Sequence, residues 1–221
     1  MKTPELLGEA MVYAGRLDPM AGGVLLVLTG ADRFALPEHL THDKEYVAGV
    51  LFGVRSDTFD ALGRVSAGGS PDIACCVSSL RDLAGTHTLP IPVWSAYKVR
   101  GRPLHAWARE NRLEEITIPT RAMGVTAVRE VEAQELRPSI LLDDLRTRIL
   151  RVRGPFRQSD AIADWEQICE VDRPLVLATA TLTVTSGTYI RALANDAGVQ
   201  LGCGALLFSL TRTRVGPYSA R

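Results

Sequence analysis

Lysine is nearly missing: of 25 basic residues only Lys2, Lys44 and Lys98 are lysines, and the rest are arginines. Acids match bases at 25 each, so there is no net charge to draw the chain onto nucleic acid indiscriminately. Local patches must do that work, and arginine suits them, because its fork grips phosphate and its face stacks on bases. Cysteine is equally sparse. Cys75 and Cys76 are adjacent, Cys169 and Cys203 stand far apart, and no C-x-x-C occurs, which excludes a zinc or disulfide framework. His39 and His42 form an H-x-x-H without a completing acid or cysteine, and read as a solvated helix end. No apolar run approaches the roughly 20 residues that cross a bilayer. Met1-Lys2-Thr3-Pro4-Glu5 has no secretory core behind it. These absences together describe a cytoplasmic protein with no membrane, metal or cofactor. What remains is 221 residues of ordinary apolar content, enough for one domain spanning 1–221.

Along the chain, Leu6, Leu7 and Met11 suggest the end of a helix, and Val24–Leu28 a strand. Ala31–Leu40 suits a short helix interrupted at Pro37. Lys44–Val54 alternates as a strand, and 55–63 is a polar loop. Asp72–Ala84 has helical spacing through Ile73, Val77, Leu80 and Ala84. Residues 90–102 form an extended loop rich in bases and aromatics, followed by a helix at Pro103–Asn111. One or two strands lie in 116–136, and 138–172 is helical twice over. Leu175–Thr185 alternates as a half-buried strand. Ser186-Gly187-Thr188 then caps a helix whose core face carries Ile190, Leu193, Ala194, Ala197 and Leu201. A strand over Ala205–Leu210 ends the series. This irregular alternation predicts an α+β fold, mixed and mostly antiparallel, and not a doubly wound sheet.

Gly15-Arg16-Leu17-Asp18-Pro19-Met20-Ala21-Gly22-Gly23-Val24-Leu25 holds an acid before a proline, then a glycine pair running into an apolar stretch. Pro19 keeps Asp18 out of helical geometry, and the apolar run anchors the loop. That suits a carboxylate held at the mouth of a cleft, and equally an ordinary turn aspartate. Five further stretches follow in order: Lys44-Glu45-Tyr46, Ser56-Asp57-Thr58-Phe59-Asp60-Ala61-Leu62-Gly63, Pro92-Val93-Trp94-Ser95-Ala96-Tyr97-Lys98-Val99-Arg100-Gly101, Ser186-Gly187-Thr188-Tyr189-Ile190-Arg191 and Leu201-Gly202-Cys203-Gly204-Ala205. In this order and spacing the set resembles the TruB family of tRNA pseudouridine synthases across most of residues 12–216.

The resemblance implies a pseudouridine synthase fold: a sheet flanked by helices around a central cleft. It implies isomerisation of a tRNA T-loop uridine, typically uridine 55, without cofactor or protein partner, by a monomer gripping the T arm. Asp18 matches the catalytic aspartate, attacking C1′ or acting as a base; both remain open. Arg191 matches an active-site arginine, whose charge would favour the ionised acid and fix its direction. Tyr46 matches a tyrosine that stacks on the flipped base, and Tyr189 and Leu210 match uracil-pocket positions. Lys98, Arg100 and Arg102, with Trp94 and Tyr97 nearby, offer cations and stacking faces to RNA. Arg212 and Arg214 are expected to add phosphate contacts. Three departures stand out. Tyr13 takes the place of a base-holding histidine, the family's usual opening strand is absent, and 138–172 reads as a helical insertion with no C-terminal PUA domain after it. The competing reading is a catalytically impaired tRNA-binding or RNA-folding protein of the same fold.

Overall fold

Lys44–Phe52 is buried along nearly its whole length, because both of its edges are paired and both of its faces are covered. The structure is a computed structural model that describes Gly8 and residues 10–219. The elements run β1 (Met11–Tyr13), β2 (Gly22–Gly23), β3 (Val27–Thr29), α1 (Leu36–Leu40), β4 (Lys44–Phe52), β5 (Val54–Ser56), β6 (Val65–Ala67), α2 (Ile73–Arg81) and β7 (Gly85–Pro90). Then come β8 (Lys98–Val99), β9 (Arg102–Pro103), α3 (Leu104–Arg109), β10 (Thr120–Leu136), α4 (Leu142–Arg151), α5 (Gln158–Val171), β11 (Leu175–Val184), α6 (Ile190–Gln200), β12 (Ala205–Val215) and β13 (Tyr218–Ser219).

The main sheet is ordered β13-β12-β4-β11-β10-β7, all antiparallel, and β2 joins β12 in parallel. The α+β expectation holds. Strand alternation sends successive side chains to opposite faces and so builds two cores. On one face Ala48, Val50, Ala178, Ala180 and Leu182 meet Cys76 and Leu80 of α2 and Leu193, Ala194 and Ala197 of α6. On the other, Leu51, Leu175, Leu206 and Phe208 meet Leu145 and Ile149 of α4 and Ala161 and Trp165 of α5. The indole N–H of Trp165 donates to Ala61 O at 3.0 Å, so a fully buried donor is satisfied. The residues expected to form two helices thus form α4 and α5, which pack on each other and against this face. A third, smaller core gathers Ile91, Leu104, Trp107 and Ile116.

Four expectations are corrected. Met11 opens a strand paired with β3, not a helix end, and Leu6 and Leu7 lie outside the described residues. The loop after Asp18 pairs at Gly22–Gly23, and β3 begins only at Val27. β12 continues through the polar Thr211-Arg212-Thr213-Arg214 to Val215, past the expected end at Leu210, because Lys44–Val47 of β4 pairs with it there. Finally, α6 has Tyr189 at its N-cap and no side-chain cap. Ser186 Oγ instead donates to Leu40 O, and Thr188 Oγ1 to Gly124 O at 3.4 Å, tying neighbouring loops together.

Candidate active site

Asp18 sits on a turn closed by the Ala21 N–H, which donates to Asp18 O at 2.9 Å with Pro19 at the second position. From Ala21 the chain enters β2, where Gly22–Gly23 faces Thr211–Arg212. Gly23 has φ 98°, and a Cβ there would lie 2.2 Å from Arg212 O, so only glycine permits this approach. The Arg212 guanidinium completes the clasp. Its Nε donates to Val24 O at 2.7 Å and its Nη2 to Gly15 O at 3.1 Å, on the two sides of the Asp18 loop.

Arg191, in the first turn of α6, reaches Asp18 from the other direction. Its Nη1 donates to Thr58 O at 3.1 Å and its Nη2 to Trp94 O at 3.2 Å. Those two carbonyls turn Nε toward Asp18, 3.5 Å from Oδ2, an ion pair in which Nε makes no hydrogen bond. Asp60 Oδ2 lies 3.9 Å from Nη1. Arg191 is 5% exposed, and a cation buried so deeply demands such counter-charge. Asp60 accepts from Thr58 Oγ1 at 2.6 Å and from Leu62 N at 3.0 Å. Burial pushes its carboxyl above the usual range, and Arg191 pulls the other way.

Asp18 and Asp60 line a small open cleft, whose other walls include Met20, Ala21, Leu207 and Leu210. Tyr46, on β4 opposite Leu182 and Arg212, is 8% exposed. Burial raises its phenol, the Asp18 charge adds to the rise and Arg212 opposes it, so near neutral pH the group is an uncharged donor. A carboxylate open to solvent and a buried guanidinium thus meet beside apolar walls, with the neutral Tyr46 phenol close enough to feel the Asp18 charge. Among the described residues, no three metal-ligating side chains come together.

The other expected residues divide. Leu210 lines the cavity. Tyr189 packs against the Ile91–Leu104–Trp107–Ile116 core, and Tyr13, at the end of β1, is half exposed and outside the cavity walls. Lys98 and Arg100 are exposed on the β8–β9 hairpin, whose tight turn uses left-handed Arg100 and Gly101. Arg102 is already engaged: it pairs with Glu110, donates to Ala106 O at 3.2 Å and stacks 4.9 Å from the Trp107 ring. Arg214 lies 3.7 Å from Glu45 and donates to Gly216 O at 3.1 Å. Arg212 requires a correction. At 1% exposure it is framework and not a phosphate ligand, because β12 extends far enough to turn it inward. Asp60 was missed as a site residue, although Thr58-Phe59-Asp60 stood among the quoted motifs. Read as a polar loop, it gave no sign that its acid meets Arg191.

The family model described as TruB family pseudouridylate synthase (N terminal domain) matches residues 7–144, a span that holds Asp18, Tyr46 and Asp60 and stops short of Arg191. A tRNA pseudouridine synthase B from Cutibacterium acnes is 35% identical over 220 residues, covering 96% of this chain and 61% of the relative. Its counterpart from Thermus thermophilus is 33% identical, covering 92% of this chain and 63% of the relative. The chain thus spans about three fifths of the length of these relatives. Among solved structures, a chain of a Cbf5–Nop10–Gar1 complex aligns with a TM-score of 0.55 at 21% identity, covering 98% of this chain and 43% of that one. At that identity the likeness is one of fold, and the fold is the pseudouridine synthase fold. By its matched residues, this chain belongs to the TruB family of pseudouridylate synthases.

Proposed function

We propose that the chain isomerises a uridine of the tRNA T loop, position 55, to pseudouridine. The observation that carries this reading is the Asp18 carboxylate at the cavity, aimed by a buried Arg191 that is itself held by two backbone carbonyls. The reaction breaks the N1–C1′ bond, turns the uracil and joins C5 to C1′, while C5 loses a proton and N1 gains one. Nothing is oxidised and no group leaves, so a carboxylate, a guanidinium and a phenol suffice. Asp18 either attacks C1′ or removes a proton to open an elimination there. Tyr46 lies against the displaced ring, with its protonated hydroxyl as a hydrogen-bond donor. Leu210 supplies an apolar wall.

The uridine must first leave its stack, at a cost of roughly a few kcal/mol. Backbone contacts to the T arm offset that cost, and Lys98 and Arg100 are the exposed cations best placed to make them. In this reading the partner is the tRNA T arm, and the protein works in the cytoplasm as a monomer without cofactor. The test incubates the protein in excess with an unmodified tRNA transcript and maps pseudouridine by carbodiimide-dependent primer-extension stops. A stop at the T-loop uridine is expected. No stop, with the tRNA still bound, would leave the family's fold serving only RNA binding.

A further inference from the structure

The turn between α4 and α5 carries a residue that the chemistry above does not use. Arg157 stands just before α5 in the left-handed region, with φ 57°. Its side chain leaves the hairpin and makes a fork with Asp57, Nη1 to Oδ2 at 2.8 Å and Nη2 to Oδ1 at 3.1 Å. The same guanidinium lies 4.1 Å from the ring centre of Trp94. Fork and face are thus used together, which lysine cannot reproduce. Asp57 precedes Thr58, and the carbonyls of Thr58 and Trp94 are the two that hold the Nη atoms of Arg191. One external arginine therefore ties together the two chain segments that aim the internal one.

We propose that Arg157 is a positioning residue: it clamps Asp57 to Trp94 and so fixes the carbonyl pair that turns Arg191 toward Asp18. The proposal rests on the pseudouridine-forming reading of the site. It gives the α4–α5 hairpin a share in catalysis that its packing alone does not imply. An exposed ion pair by itself contributes little, so the effect belongs in the rate more than in stability.

The test compares wild type, Arg157→Ala, Arg157→Lys, Asp57→Asn and the Arg157→Ala/Asp57→Asn double variant on an unmodified T-arm RNA hairpin. Arg157→Ala is expected to lower kcat about tenfold, the scale of a slight misplacement of reacting groups, with KM and equilibrium binding within about twofold. Arg157→Lys should restore only part of the loss. Asp57→Asn should match Arg157→Ala, and the double variant should fall no further, as for partners in one contact. Urea midpoints should stay near wild type, while iodide quenching of tryptophan fluorescence rises as Trp94 is uncovered. Wild-type kcat in Arg157→Ala, additive losses in the double variant, or a loss that follows the unfolded fraction would each overturn the clamp. An inactive wild type would instead overturn the functional reading and the clamp with it, so the two failures are distinguishable.

Discussion

Arg191 and Arg212 approach the Asp18 loop from opposite sides, both almost wholly buried, and they do different work. Arg212 spends its nitrogens on the carbonyls of Gly15 and Val24, closing the loop at its two ends. Arg191 uses two nitrogens on carbonyls and presents the third to a carboxylate that faces solvent. The difference lies in the partners and not in burial or charge. A buried arginine among carbonyls is a fastener. Give it an acid on the cleft wall and, in the proposed reaction, it joins the chemistry. The exposed Lys98 and Arg100 of the β8–β9 hairpin form a third kind, which the proposed function assigns to phosphate.

Replacing the acid on the chemical side should have the largest effect. Asp18→Asn is expected to slow conversion by at least about 10³-fold, or about 4 kcal/mol on the barrier. Gel-shift affinity for tRNA should stay close to wild type, and product at the wild-type rate would remove the contrast between the two arginines. On the fastener side, Arg212→Gln should cost about 2–4 kcal/mol in urea denaturation, since buried carbonyls lose a charged donor. The salt slope of tRNA binding should not move. A flatter slope with unchanged stability would put Arg212 back on the RNA.

An ion pair off the cleft wall sharpens the contrast through pH. Arg64 grips Asp164 at 2.6 and 2.9 Å and Val65 N donates to it at 3.1 Å, and the Arg64 bond leads in holding that carboxyl below its usual range. The folded state thus binds this proton less readily than the unfolded chain, whose value is about 3.9. The contribution is complete above that value and is lost as pH falls through the lowered folded one. Urea midpoints measured from about pH 6 to pH 2 should therefore fall less steeply for Asp164→Asn. At neutral pH that variant should be weaker by about 1–2 kcal/mol, a figure discounted because Arg64 is half exposed. The smallest effect belongs to the surface: Lys98→Ala with Arg100→Ala should flatten the log–log salt slope of tRNA binding by about 1–2 and weaken it several-fold.

Sequence alone located the two-faced strands, the helical pair after residue 138, the Asp18 and Leu210 of the cleft wall, and the Arg191 that pairs with Asp18. Period-two alternation in Leu175–Val184 and helical spacing in Ile190–Gln200 are strong local signals, because packing on a core imposes them directly. The end of β12 was hidden. Thr211-Arg212-Thr213-Arg214 carries no apolar alternation, and its pairing comes from Lys44–Val47, far away in sequence. That hidden extension is why Arg212 looked like a phosphate ligand. Asp60 and Arg157 were illegible for a related reason. Each acts through a partner in another segment, Arg191 for one and Asp57 with Trp94 for the other, and no periodicity records such meetings.

The parallel pairing of Gly22–Gly23 with Thr211–Arg212 has a consequence for how the molecule comes into being. Asp18 is translated well before the strand that holds its loop. At ribosomal speeds of about 5–20 residues per second, roughly 10–40 s separate the two. Throughout that interval the acid exists without its seat, so a nascent chain carries the residue but not the site. Competence should arrive in a single step, once Arg212 has left the ribosome and closed over Gly23.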